Sequence, residues 1–310
     1  MTRVLVLMDF SAAALGALRV ARAAFPDAAL QVLHVAAPMT VGLPPGPVAA
    51  PDVETHPAWF APEREQLAAL GGGEIVMGQP AEEALRRARA REGDVLALGT
   101  AGRRGFQRFL LGSVAEAVIR DAPVPVLSVH SPDAEDHLPL PMVSQRRWLS
   151  ALHDLGRADD PAPARVLVLM DFSDSARQAL DFVRTHLPGA QIDLLHVVDP
   201  AALTVPFALP GAPDPPRRGA SRQLLAERNA LWAREARVRL AELGGGEVVS
   251  GEPAGIALDR AAGGEYDLVA VGTSGKGSLS RLMLGSVALR IVRESPVPVL
   301  TARAPDGPAA

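Results

Sequence analysis

Two glycine-rich segments of this chain have the composition of an anion-binding loop. The first runs from Gly99 to Ser113 and the second from Gly272 to Ser286, and both follow the pattern G-x2-G-x9-G-S. Glycines after a strand permit positive φ angles and close backbone approach, so successive N–H groups can form a concave nest. The closing Gly-Ser pair opens a helix, whose unpaired N–H groups and dipole favour negative charge. The pattern therefore predicts a phosphate-binding site in each segment.

Basic side chains inside both segments could add charge-assisted hydrogen bonds to a phosphate. The first segment contains Arg103, Arg104 and Arg108, and the second contains Lys276 and Arg281. The alternative interpretation is structural: the glycines form turns and the serine caps a helix. A Walker A loop is excluded, because the glycine that it requires five residues before Gly275 is Ala270 here.

Two aspartates, one in each copy, directly follow a predicted strand and could accept hydrogen bonds from a ligand bound at the glycine-rich loop. Asp9 follows the apolar run Val4–Met8, and Asp171 follows the corresponding run Val166–Met170. Such short unbroken runs are typical of strands buried on both faces. If this strand neighbours the strand before the glycine segment, the carboxylate lies across the crevice where open α/β sheets bind ligands. It can then accept a hydrogen bond from a ribose hydroxyl; the alternative role is to cap the following helix.

The motifs occur in pairs because the chain contains one domain twice. The sequence RVLVLMDFS occurs at Arg3–Ser11 and again at Arg165–Ser173, an offset of 162. LGGGE at Leu70–Glu74 returns at Leu243–Glu247, an offset of 173. The second copy therefore has 11 additional residues, and the Pro-, Ala- and Gly-rich stretch Pro200–Ala220 predicts that they lie in a surface loop.

This repeat divides the chain into a first domain (1–130), a linker (131–164) and a second domain (165–310). The ends of the linker are rich in Pro and Asp. Its middle, Val143–Leu155, has apolar residues spaced as in a short amphipathic helix. We interpret this segment as a linker helix lying on one domain.

Within each copy, short apolar runs alternate with Ala- and Leu-rich stretches. Ser11 and Ser173 stand where the cap of the first helix is expected, and Pro80 and Pro253 where the first turn of the third helix is expected. The order is strand, helix, strand, loop, helix, strand, helix, strand, helix, strand. The pattern predicts an α/β fold with two tandem doubly wound domains and helices on both faces of each sheet.

Composition excludes several classes of protein. The 310 residues include 31 basic and 35 acidic residues, a net charge of −4, which is not the basic surface of a nucleic-acid-binding protein. The absence of Cys excludes disulfides and thiolate sites. The opening apolar run is too short for a membrane span, so a soluble cytoplasmic protein is expected. The histidines lack metal-ligand spacing, and we interpret His34 and His196 as core residues.

The combined pattern resembles the universal stress protein family in its tandem form. The resemblance extends over both repeats almost from end to end. It rests on Asp9 and Asp171, the two glycine segments, Gly78–Ala81, Gly251–Ala254, Pro123–Leu127 and Pro296–Leu300.

The resemblance implies a five-stranded parallel sheet of order 3-2-1-4-5 in each domain, with ATP between strands one and four. It implies that Asp9 and Asp171 hold the ribose or base, and that Val35 and Val197 contact adenine through their backbone. The phosphates would lie on Gly99, Gly102, Gly112, Ser113 and Val114 in the first domain and on Gly272, Gly275, Gly285, Ser286 and Val287 in the second. Arg104, where the second copy has Gly277, leaves open a difference in affinity between the two sites.

The family usually pairs domains through the final strand. The resemblance therefore implies that Val124–Val129 and Val297–Ala302 pair antiparallel into an intramolecular pseudo-dimer, and it leaves open a homodimer of tandem chains. The function implied is a nucleotide-responsive stress-response module that binds ATP, with or without Mg²⁺, and neither nucleic acid nor a membrane. A slow ATP-hydrolysing enzyme and a nucleotide-free partner-binding scaffold are the alternatives. No base that would activate a water is evident, so no catalytic residue is assigned.

Overall fold

The computed structural model describes residues 1–36, 57–100, 111–130, 164–200, 218–273 and 284–304. In the first half of the chain, strands and helices alternate as the apolar runs predict. A short 3-10 turn at Pro57–Phe60 precedes the second helix. The elements are β1 (Arg3–Leu7), α1 (Ala12–Ala24), β2 (Ala29–Ala36), α2 (Ala61–Ala69), β3 (Glu74–Met77), α3 (Pro80–Arg89), β4 (Val95–Gly99), α4 (Ser113–Asp121) and β5 (Val126–Val129).

The second half repeats this order. Its elements are β6 (Arg165–Leu169), α5 (Asp174–His186), β7 (Gln191–Val198), α6 (Arg218–Glu242), β8 (Glu247–Ser250), α7 (Pro253–Ala262), β9 (Leu268–Gly272), α8 (Ser286–Glu294) and β10 (Val299–Ala302).

All described strands belong to one ten-stranded sheet of order β3-β2-β1-β4-β5-β10-β9-β6-β7-β8. Each half is parallel with the order 3-2-1-4-5, as expected from the family resemblance. The halves meet where β5 and β10 pair antiparallel, with Leu127 opposite Leu300. The predicted fold class and the predicted pairing through the final strands are both confirmed.

Helices cover the sheet on both faces, and alternate residues of the strands contact the two layers. Val4 and Val6 of β1 pack in the same core as Leu18 of α1. Leu5 packs in the opposite core with Val118 of α4. Both cores continue from one half into the other, and Ala, Leu and Val dominate them. A strand buried on both faces needs this unbroken apolar run, as the sequence indicates.

The helix starts differ in a way that matters for the site. Ser11 Oγ accepts a hydrogen bond from Ala14 N at 3.2 Å, so α1 is capped by its own side chain, and Ser173 does the same for α5. The helices α4 and α8 begin after Gly112 and Gly285, which have no side chain to cap with. The first turns of α4 and α8 are therefore left for another hydrogen-bond acceptor.

The second helix of the second half is longer than its counterpart in the first half, and residues 201–217 of the stretch Pro200–Ala220, where the sequence predicts a longer loop, lie outside the described residues. The segment between β2 and the turn at Pro57 has 20 residues, and that between β7 and α6 has 19. The helical stretch that follows spans residues 57–69 in the first half and 218–242 in the second. The sequence pattern predicts this helix over Gln223–Leu243, so its predicted start is five residues later than the observed start at Arg218.

The linker segment 131–163 lies outside the described residues, so its expected helix remains a prediction. Among the described residues, no helix is both long and apolar enough to cross a membrane.

Candidate functional site

A cavity of about 210 Å³ opens at the carboxyl end of β6 and β9, which are parallel neighbours. The chain leaves these two strands in opposite directions along the sheet, β6 toward β7 and β9 toward β10. Such a switch point is where open α/β sheets form a ligand crevice. The cavity is lined by Leu169, Met170, Asp171, Leu195, His196, Val197, Pro253, Val271, Gly272, Gly285, Ser286, Val287 and Ala288.

This cavity brings together residues that are up to 119 positions apart in the chain, from Leu169 to Ala288. It contains every binding residue predicted for the second half except Gly275, which lies outside the described residues. These six residues are Asp171, Val197, Gly272, Gly285, Ser286 and Val287.

The N-terminus of α8 forms one wall of the cavity. Gly285 is extended, with φ −61° and ψ 146°, and makes no side-chain cap. The first intrahelical hydrogen bond that follows it joins Leu289 N to Gly285 O at 2.9 Å. The amides of Ser286, Val287 and Ala288 precede that bond and are the donors that a helix start presents to an anion. The exposed hydroxyl of Ser286 stands beside them.

The amide of Gly285 itself is already used. It donates to Thr273 O at 2.7 Å, and Gly112 N donates to Thr100 O at 2.8 Å in the first half. These bonds close the base of each glycine segment. The two glycines therefore place the helix start, and the anion donors follow one residue later than the G-S pattern alone suggests.

Asp171 is held on the opposite wall by the turn that leads into α5. Its Oδ1 accepts hydrogen bonds from Ser173 N at 2.9 Å and Ser173 Oγ at 2.5 Å. Both described hydrogen bonds use Oδ1, which orients the carboxylate at the edge of the cavity. Asp9 makes the same contact in the first half, with Ser11 N at 2.9 Å. Of the two roles that the sequence suggests for Asp171, the structure places it at the crevice, whereas the side chain that caps α5 is that of Ser173.

Val197 presents its peptide groups to the cavity. Leu195 O accepts from Met170 N at 2.9 Å, whereas Val198 O accepts from Gly251 N at 3.0 Å on the other side of β7. Successive residues of a strand turn their N–H and C=O to alternate sides, so Val197 faces the same side as Leu195. Because β6 ends at Leu169, the polar groups of Val197 lie beyond its last residue. Val35 has the same placement, since Leu33 O accepts from Met8 N and Ala36 O from Gly78 N.

Gly272 and Gly99 have a packing role that the sequence interpretation missed. A Cβ at Gly99 would lie 2.6 Å from Ala13 C and Ala14 N, and one at Gly272 would collide with Ser175 Oγ and Ala176 N. Neither glycine is among the described residues with positive φ, so neither uses the left-handed conformation that a glycine permits. The missing side chain instead lets the starts of α1 and α5 pack closely against the strand ends.

The first half places its predicted residues at equivalent positions. Gly112 is extended, with φ −62° and ψ 145°, and Ser113 and Val114 begin α4. β1 is the parallel neighbour of β4, with Val6 opposite Ala97, so Asp9 and Gly99 follow adjacent strands. Gly102 and the basic residues at 103, 104 and 108 lie outside the described residues, as do those at 276 and 281.

The histidines of the second strand of each half are held in the sheet. His34 Nδ1 donates to Met8 O at 2.7 Å, and His196 Nδ1 donates to Met170 O at 2.6 Å. Each ring lies 4.9 Å from a phenylalanine, Phe10 or Phe172. These contacts tie the end of strand one to strand two. His34 is buried, in agreement with its interpretation as a core residue, whereas His196 is half-buried and lines the cavity.

Both phenylalanines adopt an unusual backbone conformation next to the aspartate. Phe10 has φ 61° and Phe172 has φ 63°, the left-handed region that a bulky residue rarely enters. Packing compensates for this cost, because Phe172 is buried and the guanidinium of Arg239 lies 4.0 Å from its ring centre. Strained residues of this kind are common at functional sites.

The two crevices differ at the helix start that faces α8. Glu252 accepts hydrogen bonds from Ala254 N and Gly255 N at the start of α7, and from Arg290 of α8 at 2.6 Å. Burial alone would raise the pKa of Glu252, but these amide hydrogen bonds and Arg290 lower it overall. The corresponding residues in the first half are Gln79 and Ala117. Only the second crevice thus has this ion pair between its two flanking helices.

Several residues that line the cavity carry no chemical signal of their own in the sequence. Leu169, Met170 and Val271 belong to buried strands and contribute apolar walls. Pro253 could have been found, because the Gly251–Ala254 motif recurs in both copies, but alone it indicates only the first turn of a helix.

The comparisons with known proteins agree with this architecture. The universal stress protein family matches residues 1–130 and 164–303, so the chain belongs to that family. A universal stress protein of Mycolicibacterium smegmatis is 29% identical over 314 residues, which cover 97% of this chain and 96% of the relative. The crystal structure of a universal stress protein from Archaeoglobus fulgidus shares 21% identity, covers 98% of this chain and 97% of that one, and has a TM-score of 0.56.

A family member from Arabidopsis thaliana, solved with AMP bound, is 18% identical. It covers 44% of this chain and 95% of its own, with a TM-score of 0.27. The match of the family over both halves makes this chain a tandem universal stress protein.

Proposed function

We propose that each half of this tandem universal stress protein binds ATP in its crevice, and that occupancy of the crevices is the signal the protein passes on under stress. The observation that carries the proposal is the start of α8. Three successive amides and a serine hydroxyl, with no capping side chain, line the same cavity as the Asp171 carboxylate and the peptide groups of Val197.

The triphosphate occupies the amide-rich wall. Ser286, Val287 and Ala288 donate to phosphate oxygens, and the dipole of α8 adds to the attraction for negative charge. In the first half, the amides of Ser113 and Val114 have this role. The basic residues of the glycine segments (103, 104 and 108; 276 and 281) neutralise the remaining phosphate charge.

The nucleoside occupies the other side of the crevice. Asp171 and Asp9 accept hydrogen bonds from the ribose, because a carboxylate with one oxygen held by the backbone keeps a fixed acceptor direction. Val197 and Val35 offer N–H and C=O groups to the edge of the adenine. The apolar walls, such as Leu169 and Val271, cover its faces.

Mg²⁺ would bind at this site through the phosphate groups of the nucleotide and not through a set of protein ligands. No group of three or more acidic or histidine residues that could hold a metal is present among the described residues. When bound, the ion would supply charge neutralisation, with oxygen ligands from the triphosphate and water rather than from a protein cage.

Proline substitution at the first helical position provides a selective test. Ser286→Pro removes both the hydroxyl and the N–H at this position but keeps the helix start, because Gly285 already has the extended conformation required before proline. The chain itself tolerates this arrangement, since α3 and α7 begin with Pro80 and Pro253. Ser113→Pro is the matched change in the first half.

Isothermal titration calorimetry with ATP, with and without Mg²⁺, gives the readout. We expect two sites in the unaltered chain, one in either single variant and none in the double variant. AMP and cAMP serve as competitors, because AMP is bound in the Arabidopsis relative and cAMP in another similar universal stress protein. Absence of binding at millimolar ATP in the unaltered chain would reject the proposal.

The alternatives give different results in the same samples. A nucleotide-free scaffold would show equal thermal stability with and without ATP, whereas a ligand at a hundredfold excess over its Kd adds about 2.7 kcal/mol. A hydrolysing enzyme would release phosphate at a rate that falls in the Ser113→Pro and Ser286→Pro variants.

A further inference from the structure

The helix α6 is much longer than the sheet that it covers. Its 25 residues span about 37 Å at 1.5 Å per residue, whereas β8, against which it packs, has four residues. Among its described side chains, the buried ones are Ala236 and Leu240, both in the last third of the helix. The residues 226–235 that precede them extend past the core.

The outward face of α6 carries large apolar side chains. Leu231 is 62% exposed and Val238 is 57% exposed. They are seven residues apart, so they share one face, and at 100° per residue that face is opposite Leu240. Trp232, 44% exposed, flanks the same region.

The repeat supplies an internal comparison for this face. At the offset of 173, the first half has Ala58 where the second has Leu231, and Glu65 where the second has Val238. Leu67 and Leu240, which face the core, are identical in type. The second copy thus keeps the buried side of the helix and replaces small or charged residues by apolar ones on the outer side.

The charges between these apolar residues are self-complementary. Arg234 and Glu235 are exposed and lie midway between Leu231 and Val238. Within the part of the chain that the structure describes, neither forms an ion pair. If two copies of α6 are placed antiparallel about a two-fold axis between residues 234 and 235, each Arg234 faces Glu235 of the partner subunit. The same axis places Leu231 against Val238 of the partner subunit.

We propose that the outer face of α6 is the contact surface between two copies of this chain, which pair their helices antiparallel in a two-fold dimer. A contact of this kind is isologous and closes at two subunits. The edges of β5 and β10 are paired with each other inside the chain, so self-association needs a surface other than these strands. The apolar pair and the reciprocal ion pairs of α6 meet that requirement.

Replacing the outer face by the residues of the first half tests the proposal. Leu231→Ala with Val238→Glu leaves the buried Ala236 and Leu240 unchanged, so the fold is retained. By sedimentation velocity over a range of concentrations, we expect the unaltered chain to dimerise and the double variant to bind about tenfold or more weakly. Glu65→Ala on α2 is the matched control and should dimerise like the unaltered chain.

A charge exchange tests the register. Arg234→Glu places like charges opposite each other and should weaken the dimer, whereas Arg234→Glu combined with Glu235→Arg restores complementarity and should rescue it. The chain has no native cysteine, so single cysteines give a clean cross-link. Leu231→Cys chains should form disulfides with Val238→Cys chains and not with themselves.

A chain that stays monomeric at the highest concentration reached would overturn the proposal. So would a dimer that is unaffected by the double variant and by Arg234→Glu, because that dimer uses another surface. Rescue by the exchanged charges supports the antiparallel register.

Discussion

At the scale of single residues, Gly99 and Gly272 show how a binding motif can also be a packing motif. Each glycine ends a strand at the crevice, and each lies against the first turn of the helix that follows the aspartate. The lack of a side chain at these positions, which suggests a phosphate-binding nest, is also required for the backbone of the neighbouring helix to pack against the strand. The glycine pattern alone does not separate these two roles, because both require a close approach.

The substitution Gly99→Ala should destabilise the protein even without nucleotide. Its Cβ would lie 2.6 Å from the backbone of Ala13 and Ala14, and backbone cannot move aside as a flexible side chain can. We expect a loss of about 1–3 kcal/mol in the free energy of unfolding, measured in urea.

Gly189→Ala is the matched control, because no heavy atom lies within 4 Å of a Cβ built there. It should change the free energy of unfolding much less than Gly99→Ala. If the two variants are equally stable, Gly99 is not needed for the packing of α1.

Local signals at the site are predictable where one short segment determines the geometry. Ser11 and Ser173 cap their helices as the sequence predicts, because a cap depends only on three or four neighbouring residues. The position of Pro253 in the cavity wall and the hydrogen bond from Gly285 N to Thr273 O depend instead on how separate segments of the chain approach each other. Those features become visible only in the folded chain.

At the scale of elements, α3 is fixed to β3 by a nearly buried guanidinium. Arg87 Nη1 and Nη2 donate to both carboxylate oxygens of Glu74 at 2.7 and 2.6 Å, and Nε donates to Glu83 at 2.8 Å. In the second half the equivalent contact is Arg260 to Glu247, while Ile256 replaces Glu83. The first half therefore gains a second carboxylate at this junction.

The stabilising contribution of Glu83 should depend on pH. Hydrogen bonds from Arg86, and then Arg87, outweigh burial and lower the pKa of Glu83 from 4.5 to about 2. A lowered carboxylate pKa stabilises the folded state above 4.5, and that stabilisation is lost as the pH falls from 4.5 toward 2. The difference in unfolding free energy between the unaltered chain and Glu83→Gln should therefore shrink over this window.

Glu82→Gln provides the comparison, because Glu82 is exposed on the same turn and takes part in no ion pair among the described residues. Its difference from the unaltered chain should vary less with pH. Equal pH dependence of the two variants would show that the ion pairs of Glu83 contribute nothing in solution.

The boundaries of most elements are predictable because one face of each element is buried. The sequence pattern predicts strands over Glu74–Met77 and Glu247–Ser250, and β3 and β8 span these residues. The sequence predicts a helix over Gln223–Leu243, and α6 begins five residues earlier, at Arg218. Most of the length of α6 is therefore predictable, and the difference lies at its first residues.

At the scale of the whole molecule, the halves also meet through side chains beside the paired strands. Phe25 of α1 lies 6.2 Å from Phe182 of α5, and Phe182 stacks on His186 at 4.3 Å. His186 Nδ1 lies 3.0 Å from Thr2 Oγ1 of the other half. An aromatic group and a titratable ring thus bridge the two repeats.

This contact should make the stability of the protein sensitive to mild acid. Burial lowers the pKa of His186 below 6.5, an effect that Asp94 opposes and the amino terminus reinforces. The folded chain therefore favours the neutral ring, and stability is lost as the pH falls through 6.5 toward the lower folded pKa. Between about pH 8 and pH 5, His186→Gln should lose less unfolding free energy than the unaltered chain.

Chemical denaturation at each pH gives the measurement, and His196→Gln, whose ring is bound within one half, serves as the comparison. A pH profile of His186→Gln identical to that of the unaltered chain would show that this ring does not report on the contact between halves.

The repeat itself predicts two similar domains but not how they join. Nothing in Val124–Val129 or Val297–Ala302 specifies antiparallel pairing, because a buried apolar strand can pair in either direction. That expectation came from the family resemblance, and the register of Leu127 with Leu300 confirms it.

The antiparallel junction of β5 and β10 has a consequence for signalling. Carboxyl ends of strands in one half lie beside amino ends in the other, so the two mouths open toward opposite rims of the ten-stranded sheet. A single partner protein of modest size would therefore contact one crevice only. If the crevices bind nucleotide as proposed, two partner proteins could respond to the two crevices independently.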